Sequence, residues 1–121
     1  MPEKTYSPRP LTASQAELAR EVCAYLNENM ERRITLAMLA ERFHVSGTLI
    51  KNSFRGVYGQ ALYAYTREQK MRCAAERLRT TDDTVLEVAG RFGYDNASKF
   101  AGAFRAVMGV TPSEYRKQLN K

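Results

Sequence analysis

The stretch TLAMLAERFHVSGTLIKNSFRGVYG, residues 35–59, returns later in the same chain as TVLEVAGRFGYDNASKFAGAFRAVMG, residues 84–109. Thr35, Ala40, Arg42 and Phe43 recur 49 positions on as Thr84, Ala89, Arg91 and Phe92. After a one-residue insertion the offset becomes 50, and Phe54, Arg55, Val57 and Gly59 recur as Phe104, Arg105, Val107 and Gly109. Ser46 and Asn96 align at this second offset. Both are residue types whose short side-chain oxygen accepts from the free N–H groups of a first helical turn. Self-similarity of this kind means one supersecondary unit present twice.

Within each copy a short apolar-faced helix precedes a tight turn and a second helix of about three turns, the arrangement whose second helix can enter a DNA major groove. In the first copy Leu36, Leu39, Ala40 and Phe43 make the inner face of the first helix, and Ile50, Phe54 and Val57 that of the second. The opposite face carries Thr48, Lys51, Asn52 and Arg55, spaced i, i+3, i+4 and i+7. Asn can pair with adenine and Lys with guanine, while Arg grips phosphate. Thr48, Lys51 and Asn52 are therefore the candidate base readers. Ser46, Gly47 and Arg55 are candidates for phosphate or edge contacts.

The second copy keeps its inner residues Phe100, Ala103, Phe104 and Val107 but exposes small ones: Ala97, Ser98, Ala101 and Gly102, with Lys99 to one side and Arg105 behind. Small side chains permit close approach and contact with thymine methyls but offer few hydrogen bonds. A mid-helix glycine costs about 1 kcal/mol relative to alanine. Close packing on DNA, a close helix–helix contact or simple drift are three readings of Gly102. The first copy is expected to supply most of the base discrimination and the second to position the domain.

The rest of the chain reads as helix and the fold class as all-α, about seven helices in two helix-turn-helix subdomains. Prolines occur only at Pro2, Pro8, Pro10 and Pro112. Residues 1–13 read as a flexible lead-in or interdomain linker ahead of a domain over 14–118. Ser14 with Glu17 predicts a capping box for a first helix, whose apolar stripe is Leu18, Val22, Tyr25 and Leu26 with Cys23 alongside. Residues 60–80 predict a long joining helix. Thr84 with Glu87, and Thr111-Pro112 with Glu114, open two further helices, the last over 111–118. About 20 helical residues span about 30 Å. Neighbouring major-groove faces lie about 34 Å apart, so one joining helix suits two readers in successive grooves.

Nineteen Lys and Arg against thirteen Asp and Glu give a net charge of +6, which suits a polyanionic partner. Cys23 and Cys73 are fifty positions apart and His44 is the single histidine, so zinc ligation and a disulfide framework are not expected. Both cysteines read as small core residues of a protein in a reducing, cytoplasmic setting, associated with the nucleoid. Neither a membrane-spanning apolar run nor a signal-peptide core is present. No nucleophile–base–orienter set emerges, so the expectation is a protein without catalysis, cofactor, metal or membrane partner.

Several residues have ordinary readings. Arg42 and Arg91 are solvated, pair with Glu or reach phosphate. His44 fits a turn with unusual backbone angles. Tyr63 and Tyr65 read as core or seam residues of the joining helix. Arg67, Lys70, Arg72, Arg77 and Arg79 go around that helix as a mostly solvated face with one or two phosphate contacts. Asp82-Asp83 reads as a loop capping the following helix.

At Ala89, Phe92-Gly93-Tyr94, Ser98, Phe100, Phe104-Arg105, Gly109, Thr111-Pro112 and Tyr115-Arg116 the chain resembles the DNA-binding domain of the AraC/XylS family of bacterial transcription regulators. Tyr65, Met71, Ala74 and Leu78 match its joining helix more loosely. The resemblance implies a two-part reader of double-stranded DNA that recruits or positions RNA polymerase, most often as an activator. It implies base contacts at Thr48, Lys51 and Asn52 and again at Ala97, Ser98 and Gly102. Asn96, Lys99 and Arg105 join the candidate phosphate or edge contacts. Ala97, Ser98 and Gly102 depart from the longer polar residues often found there, which weakens readout by the second unit. An effector or dimerisation domain N-terminal to these residues is common in the family, so the start reads either as a severed linker or as a short natural terminus. The competing function is a helical protein-interaction module acting on RNA polymerase or another regulator; the DNA-targeting part of a repair enzyme is a further reading.

Overall fold

The computed structural model describes residues 12–119; of the expected lead-in over residues 1–13, residues 1–11 lie outside the described residues. Among the described residues there are seven α-helices and no strand. They are α1 (Ala13–Glu28), α2 (Leu36–Phe43), α3 (Gly47–Tyr58), α4 (Leu62–Thr80), α5 (Val85–Arg91), α6 (Ala97–Met108) and α7 (Pro112–Leu119). The fold is all-α.

Short polar side chains set most of the helix starts. Thr35 Oγ accepts from the Met38 N–H of α2, Ser46 Oγ from Leu49 of α3, and Asn96 Oδ1 from Lys99 of α6, at 3.0–3.1 Å. Capping boxes stand at Thr84/Glu87 and Thr111/Glu114, where each partner accepts from the other's N–H. The first helix differs from expectation. Its box is Thr12/Gln15 and not Ser14/Glu17: Thr12 N–H donates to Gln15 Oε1 at 3.0 Å and Gln15 N–H to Thr12 Oγ1 at 3.1 Å. Thr12-x-x-Gln15 has the same pattern as the favoured pair, so pattern alone did not separate them.

The helix starts repeat as the sequence does. α5 begins 49 residues after α2, α6 begins 50 after α3, and α7 begins 50 after α4. The repeated unit thus includes the opening of the joining helix, which the side chains conceal because Ala61-Leu62 stands where Thr111-Pro112 stands in the second copy.

One compact unit takes α1 up to Tyr25 together with Thr35–Leu62. Its core is Ala19, Val22 and Cys23 of α1, Leu39 of α2, and Ile50 and Phe54 of α3, none more than 8% exposed. Burial of each large member contributes about 1.5–3 kcal/mol. Ala19, missing from the expected stripe, takes a buried place, while Leu18 is half-buried. Ser53 is buried among them, its Oγ without a partner among the described residues. Leu36 holds α2 against the start of α3, since a Cβ built on Gly47 would stand 3.0 Å from its Cδ2.

The other unit takes Leu26–Ile34 and the chain from Tyr63 on. Met71, Ala74, Ala75 and Leu78 of α4 are buried with Leu26, Met30, Val88, Ala89, Phe92, Phe100, Phe104 and Pro112. Aromatic rings run in series from Tyr94 to Phe100, Phe104 and Tyr115, with centroids 5.6–5.8 Å apart. Arg116 of α7 donates to the backbone carbonyls of Leu78, Thr81 and Asp83, and so ties the α4–α5 connection to the last helix.

Three expectations are corrected here. Cys73 is exposed, unlike Cys23, because it faces away from the Met71–Ala74–Ala75–Leu78 stripe. Tyr63, at the open start of α4, is 75% exposed and belongs to no core. Asp83 does not cap α5; its carboxylate pairs with Arg77 at 3.0 Å, and Thr84 is the cap.

Candidate nucleic-acid interface

Each unit presents the second helix of its pair on a turn of defined geometry. In the first, His44 ends α2 at φ 58°, ψ 42°, and Val45 N–H reaches back to Ala40 C=O at 3.1 Å. In the second, Gly93 lies at φ 91°, and Tyr94 N–H reaches Ala89 C=O at 2.9 Å. This left-handed residue redirects the chain, so the cap residue that follows starts α3 or α6. His44 is accordingly a turn residue.

On α3 the structure brings Thr48, Lys51, Asn52 and Arg55 together on one exposed face, opposite buried Ile50, Ser53 and Phe54. No hydrogen bond or ion pair to other described residues occupies these four side chains. Ser46 is exposed at the cap, and the first-turn amides of Gly47 and Thr48 have no intrahelical acceptor, as at any helix start. Gly47 is half-buried, and its lack of a side chain has a packing reason in Leu36. The sequence marks it only as a candidate phosphate or edge contact; the steric signal lies in the apolar residue eleven positions earlier.

On α6, Asn96, Ala97, Ser98, Lys99, Gly102 and Arg105 are all exposed, opposite buried Phe100 and Phe104, and Ala101 is half-buried. A Cβ on Gly102 would meet nothing within 4 Å, so no helix–helix contact among the described residues requires the glycine. Arg105 differs from its counterpart Arg55 in having a neighbouring carboxylate, that of Glu114. Backbone and hydroxyl donation from Thr111 and the Arg105 charge together hold Glu114 below the usual carboxylate range.

The recurring arginines of the first helices have intramolecular partners. Arg42 lies over the Tyr25 ring, 4.3 Å from its centroid, and Arg91 pairs with Glu31 at 3.0 Å. The Glu pairing was legible as a possibility at both; the ring under Arg42 was not, because Tyr25 is distant in sequence. No group of His, Cys, Asp and Glu able to hold a metal ion occurs among the described residues.

Comparison with known proteins agrees with this geometry. A family model of helix-turn-helix domains matches residues 39–118. The chain is 33% identical over 101 residues to the HTH-type transcriptional regulator YdiP of Escherichia coli K12, covering 84% of this chain but only 33% of that protein. It is 29% identical over 105 residues to the HTH-type transcriptional activator AarP of Providencia stuartii, covering 87% of this chain and 78% of the relative. Among solved structures it superposes on the DNA-binding domain of the global transcriptional factor AdpA, solved with a target DNA. That match has a TM-score of 0.76 and 31% identity, over 83% of this chain and 90% of the other. The chain belongs to the AraC-type helix-turn-helix family of transcription regulators.

Proposed function

We propose that this chain binds double-stranded DNA sequence-specifically and regulates transcription, α3 and α6 each entering a major groove. The observation that carries the reading is the α3 face of Thr48, Lys51, Asn52 and Arg55, exposed and unoccupied on the second helix of a helix-turn-helix pair. Thr48, Lys51 and Asn52 read base edges there, and Arg55 with Ser46 and the Gly47 amide grips the backbone. On α6, Ala97, Ser98 and Gly102 allow close approach with little hydrogen bonding, and Asn96, Lys99 and Arg105 hold phosphate. Support comes from the likeness to AdpA, whose domain was solved on target DNA, and to AarP, named an activator. Activation is the regulatory output we assign on the likeness to AarP, with RNA polymerase as the partner that the family resemblance implies.

Selection of bound duplexes from a random pool, followed by salt-titrated fluorescence anisotropy on the selected sequence, tests this. A two-part motif with centres about one helical turn apart, bound at least about 10³-fold tighter than random DNA, supports two readers. A one-part motif removes base reading from one unit. No enrichment, with weak and steeply salt-dependent binding alone, overturns sequence-specific recognition.

A further inference from the structure

The five cations of α4 separate into two groups. Arg72 pairs with Glu68 at 2.8 Å, Arg77 with Asp83 at 3.0 Å, and Arg79 with Glu76. Arg67 and Lys70, three residues apart and so on neighbouring surface of the helix, have no carboxylate among the described residues. Arg67 Nε is shut away from solvent and has no acceptor among the described residues. Lys70 spends one proton on the Arg32 carbonyl at 3.1 Å and otherwise faces another cation, Arg33. Burial first, and then the Arg33 charge, push its ammonium below the usual lysine range.

Two phenols border this patch. Tyr63 precedes Arg67 by four residues on α4 and is 75% exposed, an unusual place for a large ring. Tyr94 interacts electrostatically with both Tyr63 and Arg67, and its own ring lies against Phe100 of α6. Tyr94 also stands two residues before Asn96, the cap of α6. Two half-buried cations without a carboxylate among the described residues, and phenolic hydroxyls beside the start of α6, are the groups that contact a phosphate backbone. Repulsion between Arg33 and Lys70 is unfavourable in the free protein, and a polyanion relieves it.

We propose that Arg67 and Lys70 of α4, flanked by Tyr63, Tyr94 and Arg33, form a phosphate-backbone site for the DNA that α6 engages. The inference rests on the functional reading above and extends it to the joining helix. The site carries no base information; it anchors the second unit, whose α6 face is poor in hydrogen-bonding side chains.

The test is salt-titrated anisotropy of the full chain and of Arg67→Gln, Lys70→Gln and the double variant, on the selected duplex and on random DNA. Arg72→Gln is the control, since it removes the same charge from the same helix at a paired position. Expected is a loss of about 0.9 in the slope of log K against log salt for each substitution, and about twice that for the double variant. The loss should be equal on both duplexes, with Arg72→Gln close to the unsubstituted chain. Slopes for Arg67→Gln and Lys70→Gln equal to that of Arg72→Gln, with the selected duplex still preferred, overturn this site and leave the functional reading intact. An unsubstituted chain without duplex binding overturns both. Circular dichroism verifies folding, and Lys70→Gln, which gives up one bond to a carbonyl, keeps the test decisive if Arg67→Gln does not fold.

Discussion

His44 and Gly93 occupy the same left-handed corner in the two copies of the repeat, at φ 58° and φ 91°, yet only one of them is a glycine. A side chain in this region costs about 1–2 kcal/mol through crowding of Cβ against the backbone. A Cβ added to Gly93 meets no neighbour within 4 Å, so the conformational cost stands alone there. Gly93→Ala should therefore destabilise the chain by about 1 kcal/mol, and His44→Gly should be neutral or stabilising. Urea denaturation of both variants checks this; equal losses for the two would show that the corner does not set the cost.

Arg116 should be among the most sensitive polar residues. Its guanidinium serves the carbonyls of Leu78, Thr81 and Asp83 in a part-buried setting. Removing it leaves acceptors without donors, at about 1–3 kcal/mol for each group not rehydrated. Arg116→Lys should recover little, because one ammonium does not reproduce the planar fork. The exposed Arg72–Glu68 pair on α4 contributes only about 0.3–0.5 kcal/mol, so Arg72→Ala is the contrast in thermal unfolding.

Acid should weaken the chain partly through Asp83. The hydrogen bond from Arg77 holds its carboxyl below the ordinary 3.8. A depressed folded-state pKa means that the stabilisation is complete above the unfolded-state value and is lost as pH falls through the folded one. Asp83→Asn should lower stability at pH 6 and flatten its decline below pH about 4. Denaturation midpoints followed from pH 6 down to about pH 2 measure it; an unchanged slope below pH about 4 would remove Asp83 from the acid response.

The α3 face should divide by function. Lys51→Ala and Asn52→Ala should each cost about 1–3 kcal/mol on the preferred duplex and relax preference at particular base pairs. Arg55→Ala should weaken all duplexes alike and flatten the salt dependence. Three identical, uniform losses in competition binding would reject the assignment of readers.

Gly102 gives a sharper test of α6. Open space around it means that Gly102→Ala should stabilise the free protein by about 0.8–1 kcal/mol from helix propensity. Gly102→Leu should also fold but weaken binding to the selected duplex if DNA approaches that surface. Full affinity in the leucine variant would show that α6 does not come close there.

Caps and turns were largely legible in the sequence because they depend on residues three or four positions apart. Thr35, Ser46, Thr84, Asn96 and Thr111 all begin helices as their side chains predict. The repeat also exposed the inner faces, since Phe54 and Phe104 are both fully buried. Contacts between distant segments were not legible. Nothing local distinguishes Arg42 over Tyr25 from Arg91 on Glu31, or exposed Cys73 from buried Cys23. Arg67 and Lys70 stood out from their helix only once the carboxylates beside Arg72, Arg77 and Arg79 were located.

Thr48, Lys51, Asn52 and Arg55 have solvent on one side and a helix backbone on the other, with no side-chain bond to other described residues. Their identities are consequently almost free of folding constraint, whereas Ile50 and Phe54, interleaved with them, are not. Inheritance can therefore act on the two sets at different speeds. If these four side chains read DNA as proposed, an ancestral gene that duplicates can retarget one copy by a handful of codon changes without passing through an unfolded intermediate. The same property makes this helix a natural place to install a chosen specificity by design.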